Sequence, residues 1–188
     1  MSIVCIIPAR GGSVRLPRKN WRDFVGKPMI AYAIEVARQS DLFDEVIVNT
    51  DHDDVALIAE DHGANVWRRP ADEGSTGTQE LAARMLDTMP NFEKACVIYP
   101  CVPLLLPMDL REAAKHLDAS FVYAVGAFPL RDAGAFYFGW RQAFVERRQL
   151  VSLDSRTYVL PESRVCDINI AEDWLEAERK YKELKGIA

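Results

Sequence analysis

Four cations and two glycines crowd one short segment, Pro8-Ala-Arg-Gly-Gly-Ser-Val-Arg-Leu-Pro-Arg-Lys-Asn20. The cations are Arg10, Arg15, Arg18 and Lys19, and the glycines are Gly11 and Gly12. Glycine lets backbone N–H groups approach a ligand closely, and cations neutralise a polyanion. The chemistry this pattern suits is the binding of a triphosphate. The apolar run Ile3–Ile7 comes just before it, so the segment reads as the loop that leaves a β-strand. Loops at the carboxyl ends of strands are where open α/β sheets hold their ligands.

The charge distribution sharpens this reading. The chain carries 23 Lys+Arg and 28 Asp+Glu, a net charge of −5. Residues 1–30 hold six cations (the four above, Arg22 and Lys27) and one acid, Asp23. That segment is therefore +5 and the remainder −10. A cationic island on an acidic chain points to a local anion site. It argues against a general nucleic-acid surface, which is broadly basic.

The elements that must position this loop alternate along the first two-thirds of the chain. Strands are expected at Ile3–Ile7, Glu45–Asn49, Asn65–Trp67, Ala95–Tyr99 and Phe121–Val125. Helices are expected at Pro28–Arg38, Asp53–His62, Thr76–Met89 and Pro107–Leu117, each with apolar residues at helical spacing. Such a βαβ alternation predicts a Rossmann-like α/β/α sandwich around a mostly parallel sheet. The last third differs, with short strands at Gly134–Phe138, Thr157–Leu160 and Arg164–Ile168. A short helix near Trp140–Arg147 and a terminal helix at Ala171–Lys185 complete it. At 188 residues the chain reads as one domain. No apolar run approaches the ~20 residues of a membrane span, and no signal peptide is evident. Cys5, Cys96, Cys101 and Cys166 form no C-x-x-C pair. They are expected as free thiols in a cytoplasmic protein.

Ile7-Pro-Ala-Arg-Gly-Gly-Ser-x-Arg-x-Pro-Arg-Lys-Asn20 with Gly26-Lys-Pro-Met-Ile30 resembles the acylneuraminate (sialic acid) cytidylyltransferases. Further agreement lies in Phe43–Asp51, Arg69–Asp72 and Thr76–Thr78. Asp132–Gly139, Arg164–Asn169 and Glu172–Trp174 resemble the pseudaminic acid branch most. The resemblance implies coupling of CTP to an acidic nine-carbon sugar, giving a CMP-sugar and pyrophosphate. It implies that Arg10, Gly11, Gly12 and Ser13 cradle phosphates and that Lys19 serves the α-phosphate. It assigns Asn20, Arg69, Gly77 and Thr78 to the nucleotide, and Asp132, Gly134 and Phe136 to the sugar. The cofactor it implies is Mg²⁺, held by Asp167 and more weakly by Asn169.

Three departures stand out. Asn169 replaces the second acid of the family's Asp-Ile-Asp segment, and Val14 replaces a lysine. A few dozen family residues are missing between Leu130 and Arg131, where family members carry a dimer arm and part of the sugar pocket. A homodimer is thus possible, but without its usual arm. Two alternatives follow. One is a nucleotide-binding or interaction protein that has lost turnover. The other is a 3-deoxy-manno-octulosonate cytidylyltransferase, although Tyr99-Pro-Cys-Val-Pro103 lacks the Asp of that family.

Overall fold

A computed structural model describes residues 1–13, 15–70, 76–127 and 130–187. Seven strands form one sheet in the order β5-β4-β1-β6-β8-β7-β9. They are β1 (Ile3–Pro8), β4 (Glu45–Thr50), β5 (Asn65–Arg68), β6 (Lys94–Ile98), β7 (Phe121–Ala127), β8 (Leu130–Trp140) and β9 (Ser155–Leu160). Two-residue strands β2 (Asp23–Phe24) and β3 (Lys27–Pro28) make a separate hairpin. Strand β8 pairs antiparallel with both β6 and β7, and every other pairing in the main sheet is parallel. The parallel order expected from the sequence is therefore present, with one reversed strand.

Helices cover both faces. Helices α1 (Met29–Gln39), α2 (Asp53–Asp61) and α4 (Pro107–Ala114) share one core with Cys5 and Ile7 of β1. Helices α3 (Thr78–Asp87) and α5 (Arg141–Val145) share the other with Val4 and Ile6. Adjacent β1 residues thus point to opposite layers, as a strand's period of two requires.

A third apolar cluster positions the loop. Leu16, Phe24, Met29 and Tyr32 pack with Cys101, Ile168 and two residues of α6 (Ala171–Lys185), Trp174 and Ala177. Leu16 and Ile168 are 4% and 1% exposed. These two apolar anchors fix Arg15 and Lys19 on one side, and Asp167 and Asn169 on the other.

Two sequence expectations change. Arg164–Ile168 is not a strand: a 3-10 turn at Glu162–Arg164 leads into an unpaired extended segment. It alternates like a strand but has no pairing partner. β8 extends to eleven residues and pairs with β7 as far as Ala127–Leu130. Val14 and Asp72 lie outside the described residues. Among the described residues no helix is long and apolar enough to cross a membrane.

Candidate functional site

A cleft of about 330 Å³ opens beyond the carboxyl ends of β1, β5 and β6. The loop after β1 lends it Arg10, Ser13, Arg15, Lys19 and Asn20. The segment after β5 contributes Arg69, and the start of α3 contributes Thr76, Gly77, Thr78 and Leu81. Tyr99, Pro100 and Cys101 follow β6, and Gly134, Asp167, Ile168 and Asn169 close the far wall. Four of these lining residues are cations and one, Asp167, is a carboxylate. The N-terminal end of α3, whose N-cap is Gly77, adds its partial positive charge. Such a wall attracts a polyanion.

Hydrogen bonds preset the loop. Asn20 is 5% exposed and donates from Nδ2 to the Arg10 carbonyl at 2.8 Å. Its Oδ1 accepts from the Cys101 thiol at 3.5 Å. Asn20 thus ties the Arg10 backbone to the loop while still lining the cleft. Lys19 Nζ donates to the Ile168 carbonyl at 2.7 Å, and Arg15 Nη2 donates to Asn169 Oδ1 at 2.8 Å. Burial pushes the Cys101 thiol up to about 12, with Lys19 opposing and Asp167 adding to the shift.

The two loop glycines sit beside the cleft lining. The Gly11 N–H donates to Asp51 Oδ1 at 2.6 Å, and neither Gly11 nor Gly12 is among the residues lining the cleft. A Cβ on Gly11 would stand 2.6 Å from Cδ2 of His52. Gly11 is therefore a close-packing residue that ties the loop to the end of β4. Asp51, at the end of the Phe43–Asp51 match, was not singled out by its residue type alone.

On the sugar side the three expected residues separate. Gly134 lines the cleft at φ +58°, and a Cβ there would sit 3.3 Å from Cγ of Asp167. Asp132 is exposed and accepts from the Gly134 N–H at 2.9 Å and from the Tyr137 hydroxyl. Phe136 is 0% exposed within the core of the α1 face, so its side chain cannot meet a sugar. Its apolar bulk fits the strand position that points inward.

The segment carrying Asp167 is anchored by a buried ion pair. Asp109 of α4 is 0% exposed. Both terminal guanidinium nitrogens of Arg164, Nη1 and Nη2, donate to it, Nη2 at 3.0 Å. The Tyr158 hydroxyl donates at 3.0 Å and the Leu106 N–H at 2.8 Å. No charged pairing across 55 residues is visible in a sequence pattern. Among the described residues no group of three or more His, Cys, Asp or Glu could hold a metal ion.

The cytidylyltransferase family model matches residues 4–158. This chain belongs to the cytidylyltransferase family. It is 32% identical to a pseudaminic acid cytidylyltransferase of Campylobacter jejuni subsp. jejuni serotype O:23/36 (strain 81-176), over 97% of each chain. That alignment runs over 225 positions, so about 40 of them have no counterpart in a chain of 188 residues. A CMP-N,N'-diacetyllegionaminic acid synthase of Legionella pneumophila subsp. pneumophila is 41% identical over 57% of this chain and 46% of its own. The chain is thus a nucleotidyltransferase of the acylneuraminate and pseudaminic acid type. In fold it superposes on a CMP:2-keto-3-deoxy-manno-octonic acid synthetase in complex with CTP, with a TM-score of 0.78 at 18% identity. That likeness covers 98% of this chain and 100% of the other.

Proposed function

We propose that this cytidylyltransferase joins CTP to a nonulosonic acid of the pseudaminic acid type, releasing pyrophosphate. One observation carries the reading. Among the described residues, the cleft wall sets Arg10, Arg15, Lys19 and Arg69 against one carboxylate, Asp167. The relative from Campylobacter jejuni, matched over 97% of each chain, supports the acidic-sugar acceptor.

In this reading the acceptor hydroxyl attacks the α-phosphorus of CTP. A new P–O bond forms, the bond to the β-phosphate oxygen breaks, and the hydroxyl proton is lost to solvent. Alignment and charge neutralisation dominate such a displacement, with no covalent intermediate required. Arg10 and Lys19 neutralise the phosphates, and Asn20 orients Arg10. Ser13 serves the phosphates, while Arg69, Gly77 and Thr78 serve the nucleoside. Asp132 and Gly134 stand on the acceptor side.

A divalent cation fits the donor set in a limited way. Asp167 offers a hard carboxylate on the cleft wall, whereas Asn169 Oδ1 is already engaged by Arg15. Mg²⁺ commonly takes one or two carboxylates, with substrate phosphates and water as its other ligands. Asp167 is the residue that would hold it. Bound there with the nucleotide, Mg²⁺ would supply further neutralisation of phosphate charge. Four free cysteines suit a reducing compartment, and we place the enzyme in the cytoplasm.

The test is pyrophosphate release from CTP and Mg²⁺ across a panel of acceptors: pseudaminic acid, N-acetylneuraminic acid and 3-deoxy-manno-octulosonic acid. Release with pseudaminic acid above the others is expected. Preference for the octulosonic acid would reassign the acceptor, and no release with any would refute the transfer.

A further inference from the structure

Two of the loop cations rest on neutral oxygens. Lys19 Nζ meets the Ile168 carbonyl, and the Arg15 guanidinium meets the amide oxygen of Asn169. A cation hydrogen-bonded to a neutral acceptor keeps its whole charge. A carboxylate in the same place would cancel much of it. Arg15 is exposed and lines the cleft, and Asn169 sits two residues beyond Asp167 on the opposite wall.

We propose that Asn169 is a positioning residue for Arg15, holding its uncancelled guanidinium at the cleft as a fixed cation for the nucleotide's phosphates. The inference rests on the nucleotide reading above. The amide explains two features together. It fixes the far end of a long, exposed side chain, and it does so without neutralising it. An acid at position 169 would hold Arg15 in an ion pair that phosphate must break, or would turn to a divalent cation and leave Arg15 unheld. In this chain part of the charge that a second metal-binding carboxylate would recruit is built into the protein. Appreciable CTP binding without any divalent metal follows.

Calorimetric titration with CTP, once with chelator and once with Mg²⁺, tests this on the intact chain. Wild type is expected to bind in both conditions. Arg15→Ala should weaken metal-free binding by about tenfold or more, and Arg15→Lys by less. Asn169→Asp should weaken metal-free binding about fivefold or more, and Mg²⁺ should restore it to wild-type affinity or better. Asn169→Ala, which removes the hold without adding charge, should lose less than Asn169→Asp under chelator. Thermal midpoints show whether each variant is folded, and Arg15→Ala, altering an exposed side chain, remains decisive if the Asn169 variants unfold. Equal losses for Asn169→Asp with and without metal, or unchanged metal-free affinity for Arg15→Ala, would overturn the proposal while leaving the nucleotide site standing. Wild type that binds no CTP in either condition would overturn both.

Discussion

Replacing Arg164 with alanine should destabilise the whole molecule and loosen the wall of the cleft that carries Asp167. Asp109 is 0% exposed, and Arg164 supplies two of its hydrogen bonds. Without the guanidinium the carboxylate keeps the Tyr158 hydroxyl and the Leu106 N–H but has no counter-charge. Breaking a buried ion pair from one side costs about 3–5 kcal/mol. For a domain of this size each kcal/mol lowers the melting temperature by roughly 2–4 °C, so a fall of roughly 6–20 °C is expected. Scanning calorimetry measures it. The double variant Asp109→Leu/Arg164→Met should recover part of the loss, since apolar replacement of a buried pair is often near neutral. The same substitution frees the chain that leads to Asp167, so the KM for CTP should rise severalfold at temperatures where the variant is folded. A melting temperature within about 2 °C of wild type would refute the anchoring role of this pair.

Lys19→Ala should lower kcat/KM by about 10–100-fold with little change in melting temperature, because in the proposed role its cation acts on phosphate and its side chain makes one part-buried hydrogen bond, to the Ile168 carbonyl. Steady-state kinetics that match the parent would remove Lys19 from the site. Gly134→Ala should cost about 1–2 kcal/mol from its left-handed backbone and also displace the Asp167 carboxylate, raising the Mg²⁺ concentration needed for half-maximal rate. An unchanged Mg²⁺ dependence would show that Asp167 needs no such clearance. The Cys101 thiol ionises near 9.0 in its ordinary state and near 12 in the fold, a raised value, so its contribution is complete below pH 9 and is lost as pH rises towards 12. Denaturant titrations should therefore show stability declining above pH 9, by about 1.4 kcal/mol per pH unit for that thiol. Stability that is flat from pH 8 to 11 would contradict its burial.

Helices and central strands were legible because their apolar residues repeat at fixed spacing. The start of α2 and both ends of α6 fall where the pattern puts them. The β2–β3 hairpin was not legible, since two residues per strand carry no period. Its turn, Val25-Gly26, places a β-branched residue at φ +48°, without the usual Asn-Gly or Asp-Gly signal. The full length of β8 is not legible in the sequence, since Gly134 interrupts the pattern at φ +58° and the pairing with β7 slips between Tyr123 and Val125. Arg164–Ile168 alternates like a strand, but what holds it is Arg164 on Asp109 and Ile168 in the third cluster. Both are long-range facts.

The candidate site divides in the same way. Arg10, Ser13, Lys19, Arg69 and Asp167 line one cleft, which the α/β rule places at the carboxyl ends of the strands. The close approach of His52 to Gly11, and the Asp51 carboxylate that takes its amide, could not be read from the sequence, because both come from another strand's end. Phe136 belongs to a matched segment yet faces inward, since neighbouring positions of one strand point to opposite sides. The pairing of Arg15 with Asn169 spans 154 residues and required the fold itself.

A crystal structure with CTP and Mg²⁺ bound tests the central claim most directly. The phosphates should lie between the loop after β1 and the Asp167–Asn169 wall, within hydrogen-bonding distance of Arg10 and Lys19, with the metal against Asp167. Nucleotide density elsewhere on the molecule, with that cleft filled by solvent alone, would contradict the assignment.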